Sequence, residues 1–568
     1  MNLPALLLSA LSLLQQGESQ AMVDARAELR AQNFPAAARL FETVTREEPD
    51  NGQAWYLYGY ALHAAGELAG AVEVHQKAAT FEAVRAGASY NAGCAHALLG
   101  RPDEAFAWLG KALEAGFGNL QLLQTDPDLA SLRGDPRFRA LLPIGRPASF
   151  VEPLEVLHVL EGEAPGDRFG WIGRNAGDTD GDGVDDLLIS APFKALGGPA
   201  AGRLYVYSGR TGELRFQVDG QPGHQLGIGI ERAGDVNGDE VPDQLAGAAG
   251  AYGTGAAFVY SGADGELLLE LRGEGQGDQF GRKVAGAGDQ DGDGVDDVIV
   301  GAPNHDAAGP DAGRAYVFSG RTGEPLIVLD GSGAGHNFGR SVDAFAEGGL
   351  RLLIVGAPNE GPGNRGRVHV YRVEDGAARE AFTIDGRPCD VNLGLMFVSA
   401  VGDVNGDGTV DVYASDWNSN ANGVPASGRV YVHSGADGAL LHVLAGERAG
   451  DGFGIGTAEA GDADGDGCDD LLVGAWQSDA GAPGGGRCYL YSGRTGALLQ
   501  TYTCSTPGET FGFDTTTLGD VDGDGGPDFL ITAADSFARG VQSGRSFVVR
   551  GPRPADPVPA EPETEEGQ

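Results

Sequence analysis

Six nine-residue segments with Asp or Asn at positions 1, 3, 5 and 9 recur between residues 178 and 528, and nothing else in this chain restricts its fold as much. They are Asp178–Asp186, Asp235–Asp243, Asp289–Asp297, Asp403–Asp411, Asp462–Asp470 and Asp520–Asp528. So many carboxylates within one turn of backbone repel one another unless a divalent cation lies among them. An all-oxygen donor set suits a hard ion of adaptable geometry, and the ion expected is Ca2+. The side-chain donors are then Asp178, Asp180, Asp182 and Asp186; Asp235, Asn237, Asp239 and Asp243; Asp289, Asp291, Asp293 and Asp297. The later loops supply Asp403, Asn405, Asp407 and Asp411; Asp462, Asp464, Asp466 and Asp470; Asp520, Asp522, Asp524 and Asp528. Position 7 contributes a backbone carbonyl, from Val184, Val241, Val295, Thr409, Cys468 and Gly526. Gly at position 4 makes the sharp turn, as at the start of an EF-hand loop. No Glu closes the segment at position 12, and strand-like runs such as Leu187-Leu188-Ile189 follow, so the loops belong on a β scaffold.

The loops sit inside a longer repeat. Phe-Gly or Leu-Gly begins at Phe169, Leu226, Phe280, Phe338, Leu393, Phe453 and Phe511, at intervals of 57, 54, 58, 55, 60 and 58 residues. After each come the acidic loop, an apolar run ending near Gly-Ala-Pro (Gly301-Ala302-Pro303 is a good copy), and an alternating aromatic run such as Tyr316-Val317-Phe318. A short turn then leads to a further alternating run such as Leu267–Leu271. Four short strands per unit, repeated seven times, is the pattern of propeller blades. The fourth unit departs from it, because Asp343–Gly349 has only Asp343 and Glu347 where the others hold four ligands, and no ion is expected there. Val156–Leu160 reads as a fourth strand ahead of the first unit, and the last unit ends on a third strand at Phe547–Arg550, so the first run is expected to complete the last blade.

The Phe-Gly, Asp-x-Asp-Gly-Asp-Gly, Gly-Ala-Pro series resembles the FG-GAP repeat of the integrin α-subunit N-terminal domain, over residues 150–551. The resemblance implies a mainly β fold, a seven-bladed β-propeller over 154–551, and a binding platform. It also implies that the calcium loops occupy one face while ligands, protein or glycan, are met on the other. In the loops after Gly-Ala-Pro the candidate anchors are Trp417 and Trp476, then Phe193 and His305. The Arg after the Gly that opens the third strand appears in six of seven units, at 203, 314, 367, 429, 487 and 545, which points to a repeated structural role.

Residues 21–142 carry a second period, of 34. Ala37, Ala71 and Ala105 align, as do Phe41, His75 and Leu109. The middle copy, with Trp55, Tyr58, Gly59, Leu62, Gly66 and Ala71, resembles a tetratricopeptide repeat, so an all-α repeat domain is expected ahead of the propeller. Residues 119–142 read as its cap and 143–153 as a linker. The groove of such a stack takes a peptide segment of a partner; the alternative is a packing or dimerisation module.

Charge and the ends narrow the function. Thirty-nine basic against 81 acidic residues give −42, which excludes a general binder of nucleic acid or anionic membrane. Residues 3–14 are apolar and too short to span a bilayer, so 1–20 read as a signal peptide, and no other segment is suited to cross a membrane. Five cysteines make no disulfide framework; Cys468, Cys488 and Cys504 fall in one unit, where packed thiols are expected and one bridging pair is the alternative. The Pro- and Glu-rich tail, 552–568, reads as disordered. Gly-x-Ser-x-Gly, Ser-x-x-Lys, His-Glu-x-x-His and Cys-x-x-Cys are absent. The expectation is a non-enzymatic, exported, calcium-binding interaction scaffold. A glycan-binding module, or a polysaccharide lyase or hydrolase built on the propeller, is the alternative.

Overall fold

The computed structural model describes residues 19–553, which form two compact units divided between Ile144 and Gly145. Nearly all of the expected signal peptide, and the tail beyond Arg553, lie outside the described residues. Among the described residues no helix is long and apolar enough to cross a membrane, and all five cysteines are free thiols.

The first unit is helical. Gln20–Arg30 pairs with Phe34–Glu47, Gly52–Ala64 with Leu68–Ala78, and Arg85–Leu98 with Pro102–Glu114. The 34-residue register buries one small residue at each crossing, Ala37, Ala71 and Ala105. Phe41 and Leu109 fill the neighbouring core positions, and in the middle copy that place belongs to His75, also fully buried. Two short helices, Leu120–Thr125 and Pro136–Ala140, flank a 3-10 turn at Pro127–Leu132 that packs Leu129 and Leu132 against the third pair.

The second unit is a ring of seven four-stranded antiparallel sheets. Second strands such as Asp186–Ala191, Asp243–Ala248 and Asp297–Ala302 are buried at every residue, because each is sandwiched between neighbouring blades. Outer strands such as Leu267–Arg272 are largely exposed, in keeping with their place at the rim. Six sheets use four consecutive strands. The seventh combines Thr515–Gly519, Asp528–Ala533 and Arg545–Arg550 with Val156–Glu161 from the start of the unit, in the register Val159 opposite Phe547.

The same early segment also fastens to the sixth blade. Phe150 bridges Cys504, its ring packs edge-on to Phe511 and Phe547, and the Glu152 carboxylate accepts from Thr501 and Thr503 at 2.7 and 2.8 Å. Residues 149–152, part of the stretch expected as linker, are therefore a strap on the propeller. In the fourth blade, Ser341–Glu347 and Leu350–Ala357 are joined by Gly348-Gly349, both at positive φ (59° and 85°). A two-residue hairpin of this kind needs no loop and leaves no room for one.

Blades are spliced by the Phe-Gly dipeptide. Phe280 forms a parallel bridge with Gly255 of the preceding blade, and the bridge recurs at all seven junctions, closing with Phe169 on Gly544. The Phe280 N–H donates to the Thr254 carbonyl at 3.1 Å, and the Gly281 N–H to Gly301 at 3.0 Å. Each preceding-blade glycine has positive φ, and a Cβ there would overlap the backbone of the bridged Phe or Leu. Inside the ring, Arg174 joins the Glu231 and Asp514 carboxylates at 2.7 and 2.6 Å, tying the first, second and seventh blades across one side of a channel of about 740 Å3.

Deleting residues 150–161 should therefore open the seventh blade. Amide exchange over Thr515–Arg550 is expected to accelerate while the second to fifth blades keep their protection. Acceleration confined to the first blade would contradict this account of ring closure.

Candidate cation loops and the aromatic face

Each acidic loop is a chain of Asx turns. In the first, the Asp178 carboxylate accepts from the N–H groups of Gly181, Asp182 and Gly183 at 2.7, 3.1 and 2.8 Å. Asp182 accepts from Val184 at 2.9 Å. The same position-7 N–H bond, at 2.9 or 3.0 Å, recurs from Val241, Val295, Thr409, Cys468 and Gly526. These bonds curl the backbone until the side-chain oxygens face one another. In four loops the carboxylates at positions 1, 3 and 9 lie within 4.8 Å of each other: Asp178, Asp180 and Asp186; Asp289, Asp291 and Asp297; Asp462, Asp464 and Asp470; Asp520, Asp522 and Asp528.

Position 9 has a second job that its sequence spacing does not reveal. Asp186, Asp243, Asp297, Asp411, Asp470 and Asp528 are all completely buried. One oxygen of each accepts from the N–H at position 2, between 2.8 and 3.1 Å. The other accepts from the glycine that ends the third strand of the blade: Gly209, Gly262, Gly320, Gly435, Gly493 and Gly551. The side chain thus locks the loop to the sheet. Burial, reinforced by neighbouring loop carboxylates, pushes Asp243, Asp297 and Asp528 up to about 6 and Asp411 and Asp470 to about 7. Asp186 is raised as well, chiefly by burial. A buried carboxylate held against two more is a fitting place for a dication, which removes the repulsion that raises these values.

Position 5 is arranged otherwise. Asp182 pairs with Arg210 at 2.8 Å, Asp293 with Arg321 at 2.7 Å, Asp466 with Arg494 at 3.2 Å, and Asp524 with Arg550 at 3.1 Å. The first three of those arginines come from the turn Gly-Arg-Thr-Gly after the third strand. The second and fifth units have Ala-Asp in that turn and Asn at position 3, and there the Asn237 and Asn405 amides donate to Asp239 and Asp407 at 2.9 and 3.0 Å. Four ligand carboxylates with one guanidinium, or three with none, give the same local charge of −3. The Gly-Arg-Thr-Gly turns were visible in the sequence, and their pairing with the Asp-rich loops was the missed signal. The first loop receives a second guanidinium, Arg215, 3.3 Å from Asp186.

At the opposite end of the blades lies an aromatic arc. Phe193 packs on Trp171 (5.3 Å between ring centres), Trp171 on Phe513 (5.2 Å), Phe513 on Trp476 (5.3 Å) and Trp476 on Trp417 (6.3 Å). Trp171 and Phe513 come just before inner strands, and the other three come from loops after second strands. The Arg168 guanidinium lies 5.4 Å from both Trp171 and Phe193. The arc is half-buried, and the indole nitrogens of Trp417 and Trp476 are buried without hydrogen-bond partners. Trp171 and Phe513 were not apparent from sequence, because they follow the Phe-Gly motif and read as core. His305 stands apart, held by Glu274 at 3.3 Å and Asp278 at 3.8 Å. Five of the six repeated arginines that open the third strand are engaged in ion pairs, Arg545 with Glu509 and Glu161 at 2.8 and 3.0 Å for example, while Arg429 donates to Cys389 Sγ at 2.9 Å.

With this geometry in view, the comparisons with known proteins agree. The FG-GAP repeat family matches residues 169–207 and 280–318, and the tetratricopeptide repeat family matches residues 24–85. Integrin alpha-PS5 of Drosophila melanogaster is 32% identical over 172 residues, 28% of this chain and 17% of that protein. Integrin alpha-6 of Gallus gallus is 27% identical over 214 residues, 35% of this chain and 19% of its own length. Integrin alpha-PS3 of Drosophila melanogaster is 34% identical over 167 residues, 26% and 15% respectively. The chain thus carries tetratricopeptide repeats followed by an integrin α-like FG-GAP propeller, and its matches span less than a fifth of those relatives.

Position 9 and position 5 should separate in stability measurements. Asp297→Asn turns an amide N–H toward a backbone N–H that needs an acceptor. Its expected cost is about 1–3 kcal/mol in chelator, with part of the calcium increment of that loop lost in addition when calcium is present. Asp293→Asn should leave stability in chelator unchanged and reduce only the increment that calcium adds. Equal losses in chelator, by denaturant titration, would contradict the locking role.

Proposed function

We propose that this protein is a calcium-stabilised interaction scaffold working outside the cytoplasm, with its partner face at the aromatic arc. The observation that carries the reading is the recurrence, in six of seven blades, of a buried position-9 carboxylate among further loop oxygens. The side chains at positions 1, 3, 5 and 9 and the carbonyl at position 7 would hold Ca2+. The ion supplies positive charge that cancels the repulsion and stiffens the turn between inner and second strands; the fourth blade is expected to take none.

Concentration gives the location. Sites in extracellular modules bind at roughly 10⁻⁴–10⁻³ M. At about 1 mM calcium a site of about 10⁻⁴ M adds roughly 1.4 kcal/mol, and six independent sites about 8. At cytosolic calcium the contribution vanishes. An extracytoplasmic location gives the loops their purpose and matches the signal peptide read from residues 1–20. The boundaries proposed are helical repeats over 21–142, a linker and strap over 143–153, and the propeller over 154–551.

The partner face follows from exposure and chemistry. Half-buried aromatic rings offer apolar contact area at a loop-rich end of the blades, the kind of surface found at interface hot spots. The integrin α likeness favours a protein partner there, and the helical repeats favour a second contact with a peptide segment. A glycan is the competing ligand of the same arc.

The test combines stability and binding. Thermal unfolding in about 1 mM calcium is expected to show the propeller transition well above its position in chelator; coincident transitions would remove the calcium reading. Binding of the calcium-loaded protein to panels of extracellular proteins and of glycans, with Trp417→Ala in parallel, is expected to lose at least about tenfold in affinity for a protein partner without a change in unfolding temperature. Unchanged binding by that variant would take the arc out of the interface.

A further inference from the structure

The helical unit holds a cluster of metal-binding side chains that none of the foregoing uses. Cys94, Asp126 and Asp128 each present a ligand atom within 4.8 Å of the other two. The His63 Nε2 atom lies 3.0 Å from Asp128 Oδ2, and Cys94 Sγ lies 3.8 Å from Asp126 Oδ2. His63 comes from helix Gly52–Ala64, Cys94 from helix Arg85–Leu98, and the two aspartates from the start of the 3-10 turn that caps the stack. Cys94, Asp126 and Asp128 thus make a three-donor cluster from two segments far apart in sequence, and His63 reaches one member of it, Asp128, from a third.

Two further observations mark this as more than a polar contact. First, His63 Nε2 is buried and makes no hydrogen bond, although a carboxylate oxygen sits 3.0 Å away. The two atoms are close without being aimed at each other, which is how neighbouring ligands of one ion are placed. Metal–ligand lengths of about 2.0–2.3 Å in a tetrahedral site put donor atoms roughly 3.3–3.6 Å apart, a range bracketed by the His63–Asp128 and Cys94–Asp126 spacings of 3.0 and 3.8 Å. Second, the 34-residue register aligns His63 with Leu29 and Ala97, both buried apolar residues. The repeat architecture asks for an apolar side chain at this position and finds an imidazole.

We propose that His63, Cys94, Asp126 and Asp128 form a transition-metal site, and that the mixed nitrogen, sulfur and oxygen donors select Zn2+. Ca2+ is a poor fit, since thiolate and imidazole are the wrong ligands for a hard cation. The surroundings suit a structural ion. The Tyr90 hydroxyl donates to Asp126 Oδ2 at 2.7 Å, and the Asp128 N–H donates to Asp126 Oδ1 at 3.0 Å, so that carboxylate is oriented from both sides. The fully buried His75 ring packs edge-on to His63, 6.0 Å between centres, and holds its plane. Tyr90 itself is stacked on Phe117 at 4.2 Å. A bound ion staples the capping segment to the second and third helix pairs, where the core alone supplies Leu129 and Leu132.

The test uses the untagged full-length protein, stripped of transition metals and kept in 1 mM calcium so that the propeller loops do not compete. Co2+ titration should produce a thiolate-to-metal absorption band that saturates at one ion per chain and is displaced by one equivalent of Zn2+. Cys389, 3.7 Å from Asp390, and Cys468 also lie near carboxylates, so Cys389→Ser and Cys468→Ser must each keep the band while Cys94→Ser abolishes it. Competition against a chromophoric chelator should show Zn2+ affinity falling by at least about 100-fold in Cys94→Ser and Asp128→Asn, and by about 10–100-fold in Tyr90→Phe with the band retained. Absence of a thiolate band in the wild-type protein overturns the proposal whether or not the variants fold. So does a band that survives Cys94→Ser.

Discussion

Everything in the propeller depends on how one blade is fastened to the next. Sheets packed face to face have no directional bond between them, and a ring of seven would slide without one. The Phe-Gly splice supplies it. A buried aromatic or leucyl side chain fills the space between blades while its backbone bridges a glycine at the third-strand start of the blade before. The glycine is obligatory twice over, through its positive φ and through the absence of space for a Cβ. Because the bridge at Phe169 reaches back to Gly544, the chain also closes on itself by the device that joins its interior blades.

The loops are the second constraint, and they work against folding until their charge is answered. Six buried aspartates are raised toward neutrality by the fold that needs their oxygens. The protein offsets part of this internally. Guanidinium groups from the turn after the third strand stand beside position 5, and where that turn lacks an Arg, position 3 is Asn instead of Asp. The remaining negative charge is what the proposed dication would cancel. The fourth blade avoids the problem by replacing the loop with a Gly-Gly hairpin, so the acidic loops are distributed unevenly round the ring.

The two ends of the propeller consequently have different characters. One end is acidic, rigidly hydrogen-bonded and repetitive, which suits structure. The other carries an arc of five aromatic rings contributed by blades one, five, six and seven. Repetition goes with a shared structural task, and the unrepeated arc is where the proposed partner face lies.

The sequence by itself determined the architecture: seven blades, the acidic loops, the fourth unit without such a loop, the early strand that completes the last blade, and the helical repeats in front. These were legible because each depends on short-range spacing, which a repeat displays many times over. Tertiary structure decided which side chains meet across blades and helices. Position 9 as a lock on the third strand, the Arg partners of position 5, Trp171 and Phe513 beside Trp476, and His63 beside Asp128 all join residues separated by a strand, a blade or a helix pair. Such pairs leave no periodic trace in the chain, because their spacing is set by how sheets and helices stack and not by the geometry of one backbone segment.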